Sequence, residues 1–153
     1  MGNRAAITTS PFKRGNIGIY VHWNGGRASI EGFLKAARDL DYRTPATDPN
    51  YAMAGLAGLI WSFLGTDGFS VGLGTCDQRD CDNGDNGTWL IGDDWSLVAN
   101  QSRGFYDRKV NTKFISEMSA LTKAEEDSRD AIAATIVAKV KAANATNQPE
   151  VPA

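Results

Sequence analysis

Histidine occurs once in this 153-residue chain, at His22. That scarcity excludes the His-Glu-x-x-His zinc helix and any centre built on several imidazoles, and no Cys-x-x-Cys redox pair is present either. Cysteine is almost as scarce. Cys76 and Cys81 stand five residues apart in a hydrophilic loop, and a structural zinc wants four ligands where these two and a distant His22 offer three. Neither charge sign dominates: 16 Lys and Arg oppose 18 Asp and Glu, a formal charge of −2, which argues against a general nucleic-acid binder. Long apolar runs are missing as well. The longest, Tyr51 to Leu64, falls short of the roughly 20 residues that cross a bilayer, and Met1–Ser10 has no apolar segment of the kind a secretory signal needs. These absences predict a cytoplasmic, non-membrane chain with reduced thiols, no metal, no cofactor and no enzymatic activity.

What is present reads as α+β. Ala5–Thr9 is β-prone, and after turn signals at Ser10-Pro11 and Gly15-Asn16, Ile17, Ile19 and Val21 alternate with Gly18, Tyr20 and His22. That is the period of a half-buried strand, and it puts Tyr20 and His22 on one face. Ser29 is the expected N-cap of a helix over 29–41 with Ile30, Phe33, Leu34, Ala37 and Leu40 as its buried stripe. Asp48 and Pro49 open a second helix over 49–64, apolar nearly all round and so expected at the centre of the core. Its Gly55 and Gly58 suggest close approach of a neighbour. A third strand is expected around Phe69–Leu73, and Thr88–Ile91 and Trp95–Ala99 read as a hairpin across Gly92-Asp93-Asp94.

These elements predict an antiparallel sheet of about five strands packed on two helices over residues 1–110, a C-terminal helical extension over 111–143 and a disordered tail over 144–153. Within the extension, Thr122-Lys123-Ala124-Glu125 is a capping box, Glu125 and Arg129 form an i,i+4 pair, and Ile132, Ile136 and Val140 make a stripe widened by Ala133 and Val137. With two helices already covering the sheet, that stripe is expected to be the seam of a homo-oligomer.

Three clusters qualify as candidate sites. At the end of the second strand, His22, Trp23, Asn24 and Arg27 surround Gly25-Gly26 just before a helix N-terminus, a place where free backbone N–H groups and a guanidinium can meet an anion. Between Asp77 and Asp94 six acids face one arginine, and Asp80, Asp82 and Asp85 lie at the heart of this loop. Residues 82–93 have the length of an EF-hand loop, but Gly84 at the third position and Asp at the last argue against calcium. Clustered carboxylates can instead occupy a groove made for nucleic-acid phosphate. Finally, Arg103, Phe105 and Arg108 interleave cations with an aromatic ring in a basic segment, as single-strand and nucleotide sites do.

Read as a string, Met1-Gly2-Asn3-Arg4-Ala5-Ala6-Ile7-Thr8-Thr9, then Ile19-Tyr20-Val21-His22-Trp23-Asn24-Gly25-Gly26-Arg27, then Asp85-Asn86-Gly87-Thr88-Trp89 resembles a family of small proteins encoded by phages, prophages and other bacterial mobile elements. The resemblance covers about residues 1–95 and transfers no catalytic residue. What it implies is context: a protein that binds and blocks a bacterial host defence protein or complex, such as a CRISPR effector. The alternative is a small-ligand protein that sequesters or cleaves a phosphate-bearing nucleotide signal at the His22–Arg27 turn.

Overall fold

The computed structural model describes residues 2–65, 70–76, 85–103 and 109–147, with Arg103 by its backbone alone. Six strands and three helices follow in the order β1 (Ala5–Thr9), β2 (Ile17–Val21), α1 (Arg27–Asp39), α2 (Pro49–Leu64), β3 (Val71–Thr75), β4 (Thr88–Ile91), β5 (Leu97–Arg103), β6 (Val110–Phe114) and α3 (Lys123–Thr146), with a 3-10 turn at Ile115–Glu117. The fold is α+β, as the alternation of strand and helix periods implies. The sheet has six strands in the order β3-β2-β1-β4-β5-β6. It is mixed rather than wholly antiparallel, because β1 pairs β4 in parallel, Ile7 opposite Trp89, while the other pairings are antiparallel. β2 occupies one edge of β1 by a short connection, so β4, arriving after both helices, takes the other edge.

β1 and β4 are central and buried along their length. Their alternate residues Ala5, Ile7, Trp89 and Ile91 join Ile19 and Val21 of β2 in a cluster with Ile30, Phe33 and Leu34 of α1 and with Met53, Leu56 and Ile60 of α2. Burying a side chain of this size contributes about 1.5–3 kcal/mol, so this layer dominates the fold.

The helices depart from expectation in three places. α1 begins at Arg27 with Gly26 as its extended N-cap, two residues before Ser29, because Ile30 N–H already reaches the Gly26 carbonyl at 3.1 Å. α2 starts where Asp48 and Pro49 place it, with the Asp48 carboxylate accepting from Asn50 and Tyr51 N–H, but it is not the fully covered helix. Tyr51 and Trp61 are exposed, and while Gly55 meets the Tyr42 ring, Gly58 meets nothing within 4 Å.

The third departure concerns the C-terminal helix. α3 opens on the expected capping box, Thr122 with Glu125, and then packs on α1 and α2. Ile132, Ala133 and Ile136 are buried in the same cluster as the sheet residues. The stripe read as an oligomer seam is therefore covered from within, and β6, inside the expected extension, is a strand of the sheet. Gly32 makes this docking possible, since a Cβ there would lie 2.9 Å from the Arg129 carbonyl and 3.0 Å from Ile132. Arg129 does not pair with Glu125; its guanidinium holds Asp130 at 2.8 Å and reaches Glu31 of α1 at 4.0 Å. α1 is thus the central helix, sheet on one side and α3 on the other.

Trp95, read as a strand residue, sits instead in the β4–β5 turn with a left-handed φ of 65°. Its indole is buried and donates to the Tyr42 carbonyl at 3.2 Å, so the strand begins two residues later.

Candidate functional site

Strand directions decide which loops meet. β1 runs antiparallel to β2 and parallel to β4, so the residues before β1, after β2 and before β4 gather at one end of the sheet. There Asn3 N–H donates to the His22 carbonyl at 3.2 Å, Gly25 N–H to the Asn3 carbonyl at 2.8 Å, and Asn86 N–H to the Arg4 carbonyl at 3.1 Å. The Asn86 side-chain amide also donates to Asn3 Oδ1 and to the Arg4 carbonyl. Below them the Trp89 indole N–H reaches the Gly25 carbonyl at 2.8 Å in a buried hydrogen bond. Gly25 allows this closeness: a Cβ there would stand 2.7 Å from the Arg4 carbonyl carbon and the Asn3 oxygen. Asn24, with φ 59°, turns the chain into that contact, and asparagine tolerates the left-handed region better than most residues.

The charge at this end is Arg4 and Asp85. Arg4 donates three times to the Asp85 carboxylate, from its backbone N–H and Nε at 3.0 Å and from Nη2 at 3.2 Å. Those hydrogen bonds, side-chain first and then backbone, with the Arg4 charge behind them, hold the Asp85 carboxyl at about 2 instead of the ordinary 3.8. Asp85 is consequently a fixed anion at neutral pH, not a proton donor or acceptor. Beside the pair, the Tyr20 hydroxyl lies 2.9 Å from His22 Nδ1, and a Cβ on Gly2 would be 3.3 Å from His22 Nε2. The shared strand face expected for Tyr20 and His22 thus makes a direct contact. Trp23 crosses the imidazole edge-on, centroids 4.9 Å apart, and stays 45% exposed.

His22, Trp23 and Asp85, drawn from two different sequence clusters, therefore belong to one patch, and Arg27 does not. Its Nε holds Glu31 at 2.7 Å and its Nη1 the Ser119 carbonyl at 2.7 Å, anchoring α1 to the segment before α3. It lines a separate groove of about 440 Å³ with Glu31, Arg38, Asp94 and Ser96. Asn24 reaches Ser29 Oγ at 3.4 Å. The Gly25 N–H and the Arg27 fork that an anion would use are both spent inside the fold. Arg103 is described only as a β5 backbone position opposite Val110, and Asp80, Asp82, Phe105 and Arg108 lie outside the described residues, as does Cys81.

Reasoning along the sequence passed over Arg4, Asn3 and Asn86, which tie the patch together. The expectation that the chain holds no Gly-x-Ser-x-Gly is wrong: Gly68-Phe69-Ser70-Val71-Gly72 has the spacing of a hydrolase nucleophile elbow. That elbow needs a strand before the serine and a helix after it. Here β3 follows Ser70, which is buried and whose carbonyl accepts from His22 N–H at 2.9 Å, so its context is not that of an elbow. Among the described residues no three His, Cys, Asp or Glu side chains cluster as metal ligands would, and no helix is long and apolar enough to cross a membrane.

No protein-family model, curated protein or solved structure matches the chain.

Proposed function

We propose that this is a non-enzymatic binding protein of a bacterial mobile element, acting in the host cytoplasm on a defence protein or complex, and that the sheet end around His22 is its recognition patch. One observation carries the reading. The three stretches that resemble mobile-element proteins contribute residues as far apart in the chain as Asn3 and Asn86, 83 positions, yet Asn3, Arg4, His22, Gly25, Asp85 and Asn86 form a single hydrogen-bonded network. A rigid patch with one half-exposed indole at its centre suits recognition, because a preorganised aromatic anchor adds contact area with little ordering cost. The chemistry of the patch points the same way: its carboxylate is locked by Arg4 and its imidazole is engaged by Tyr20.

The test is restriction relief. Expressed in bacteria carrying individual defence systems, the protein should restore plating of a restricted phage for at least one system and co-purify with a component of it. Trp23→Ala should abolish both while leaving the thermal midpoint of the purified protein unchanged. A protein that relieves no restriction across the panel, but whose midpoint rises with a nucleotide, is the small-ligand protein instead.

A further inference from the structure

Both edges of the sheet are strands, β3 and β6, and they differ in kind. β3 carries two glycines in five residues and is half-buried at most positions. β6, Val110-Asn111-Thr112-Lys113-Phe114, is exposed at every position and leaves Val110 55% and Phe114 50% accessible. It combines β-branched and aromatic residues, which favour strands. An exposed edge of this composition is a template for another strand.

The hydrogen bonds show which groups the edge offers. Phe114 N–H donates to Glu117 Oε2 at 2.9 Å, so it points away from β5, although Phe114 stands opposite Ala99. In an antiparallel ladder, bonded and non-bonded pairs alternate. The pairs Asn111–Ser102 and Lys113–Asn100 therefore face inward, and the backbone groups of Val110, Thr112 and Phe114 face the edge that no strand among the described residues pairs.

We infer that β6 pairs antiparallel with β6 of a second copy across a twofold axis at Thr112, joining two six-stranded sheets into one. The sequence of the strand is symmetric in the way this requires. With Thr112 facing Thr112 of the second copy, Val110 faces Phe114 and Asn111 faces Lys113, so apolar meets apolar and no like charges meet. The outward N–H and carbonyl of Thr112 make the reciprocal pair on the axis, and each Val110 N–H finds a Phe114 carbonyl. Glu117 occupies the remaining Phe114 N–H, which limits pairing to the centre of the strand. Val110, Thr112 and Phe114 share one face, so the two Val110–Phe114 contacts form together on the same side of the joined sheet, where cross-strand apolar pairs stabilise. This surface is distinct from the His22 patch, and the inference stands whether or not that patch binds a host partner.

Sedimentation velocity on the full chain over a concentration series tests it. The weight-average mass should rise from that of one chain toward twice that value. Thr112→Pro removes an outward N–H and leaves the backbone bonds to β5 in place, losing there only the exposed hydrogen bond from Gln101 Nε2 to the Thr112 hydroxyl at 3.2 Å; an edge strand accepts proline at such a position, and the variant should hold the protein at one chain's mass with its far-ultraviolet circular dichroism unchanged. Should that variant fail to fold, Val110→Lys with Phe114→Lys places like charges opposite each other across the axis and must give the same monomer. A wild-type protein that stays monomeric to millimolar concentration overturns the inference. So does a dimer that survives the folded variants, since it would then use β3 or another face.

Discussion

Gly32→Ala separates a docked α3 from an independent one by the sign of its effect. In an exposed helix, exchanging an interior glycine for alanine stabilises by about 1 kcal/mol, because glycine loses the most backbone freedom on folding. Gly32 lies inside α1 and is buried. An added Cβ would stand 2.9 Å from the Arg129 carbonyl oxygen and 3.0 Å from both Cβ and Cγ2 of Ile132, against a comfortable separation of about 3.5–4.0 Å. The carbonyl belongs to the α3 backbone and cannot rotate away, so the helix itself must retreat by several tenths of an ångström. Such overpacking typically costs about 1–3 kcal/mol, and with the Cγ2 and backbone contacts meeting together the upper half of that range applies. The net expectation is a loss of about 1–2 kcal/mol, read in a two-state urea titration as a lower midpoint at unchanged slope. For a chain of this size it lowers the thermal midpoint by about 3–6 °C. If α3 were not docked on α1, the same substitution would raise stability by the propensity gain. A raised midpoint would refute the packing described above, and with it the assignment of α3 to the core.

Truncation after Leu121 should leave the α1 surface around Gly32 bare and remove buried Ile132, Ala133 and Ile136; the shortened chain is expected to bind a hydrophobic dye and lose cooperative unfolding, as seen by calorimetry. Ile136→Ala, at a fully buried position, should cost about 2–5 kcal/mol by denaturant titration. Trp89→Phe deletes the buried donor to the Gly25 carbonyl and is expected to cost about 1–3 kcal/mol by the same measurement, most of it from leaving that oxygen without its partner. The Asp85 carboxyl, held at about 2 by Arg4 against an ordinary 3.8, stabilises the folded state above pH 3.8 and loses that contribution as pH falls from there through 2. Carboxyl resonances followed by NMR should put its midpoint near 2, and Arg4→Ala should return it toward the ordinary value.

Local signals in the chain determined the elements whose causes are themselves local. Asp48 and Pro49 start α2, Thr122 and Glu125 start α3, and the alternation from Ile17 to His22 makes β2 and sets Tyr20 beside His22. Each of these depends on neighbours within a few residues, through caps, fixed φ and side-chain period. Elements read less well where a distant partner overrides local preference. Trp95 leaves the strand because its indole is needed against Tyr42, 53 positions earlier. The candidate patch was legible only in pieces. His22 and Trp23 stood out as a strand end and Asp85 as part of an acidic loop, but that Arg4 would neutralise Asp85 across 81 positions follows from β1 running parallel to β4, and no period or motif encodes strand direction. The same holds for Arg27, whose sequence context beside two glycines suggests an anion site. Only the docking of α3, and the loop before it carrying Ser119, gave that guanidinium a carbonyl to hold. Tertiary structure likewise decided where the stripe of α3 is buried, because an amphipathic face specifies that it must be covered and leaves open by what.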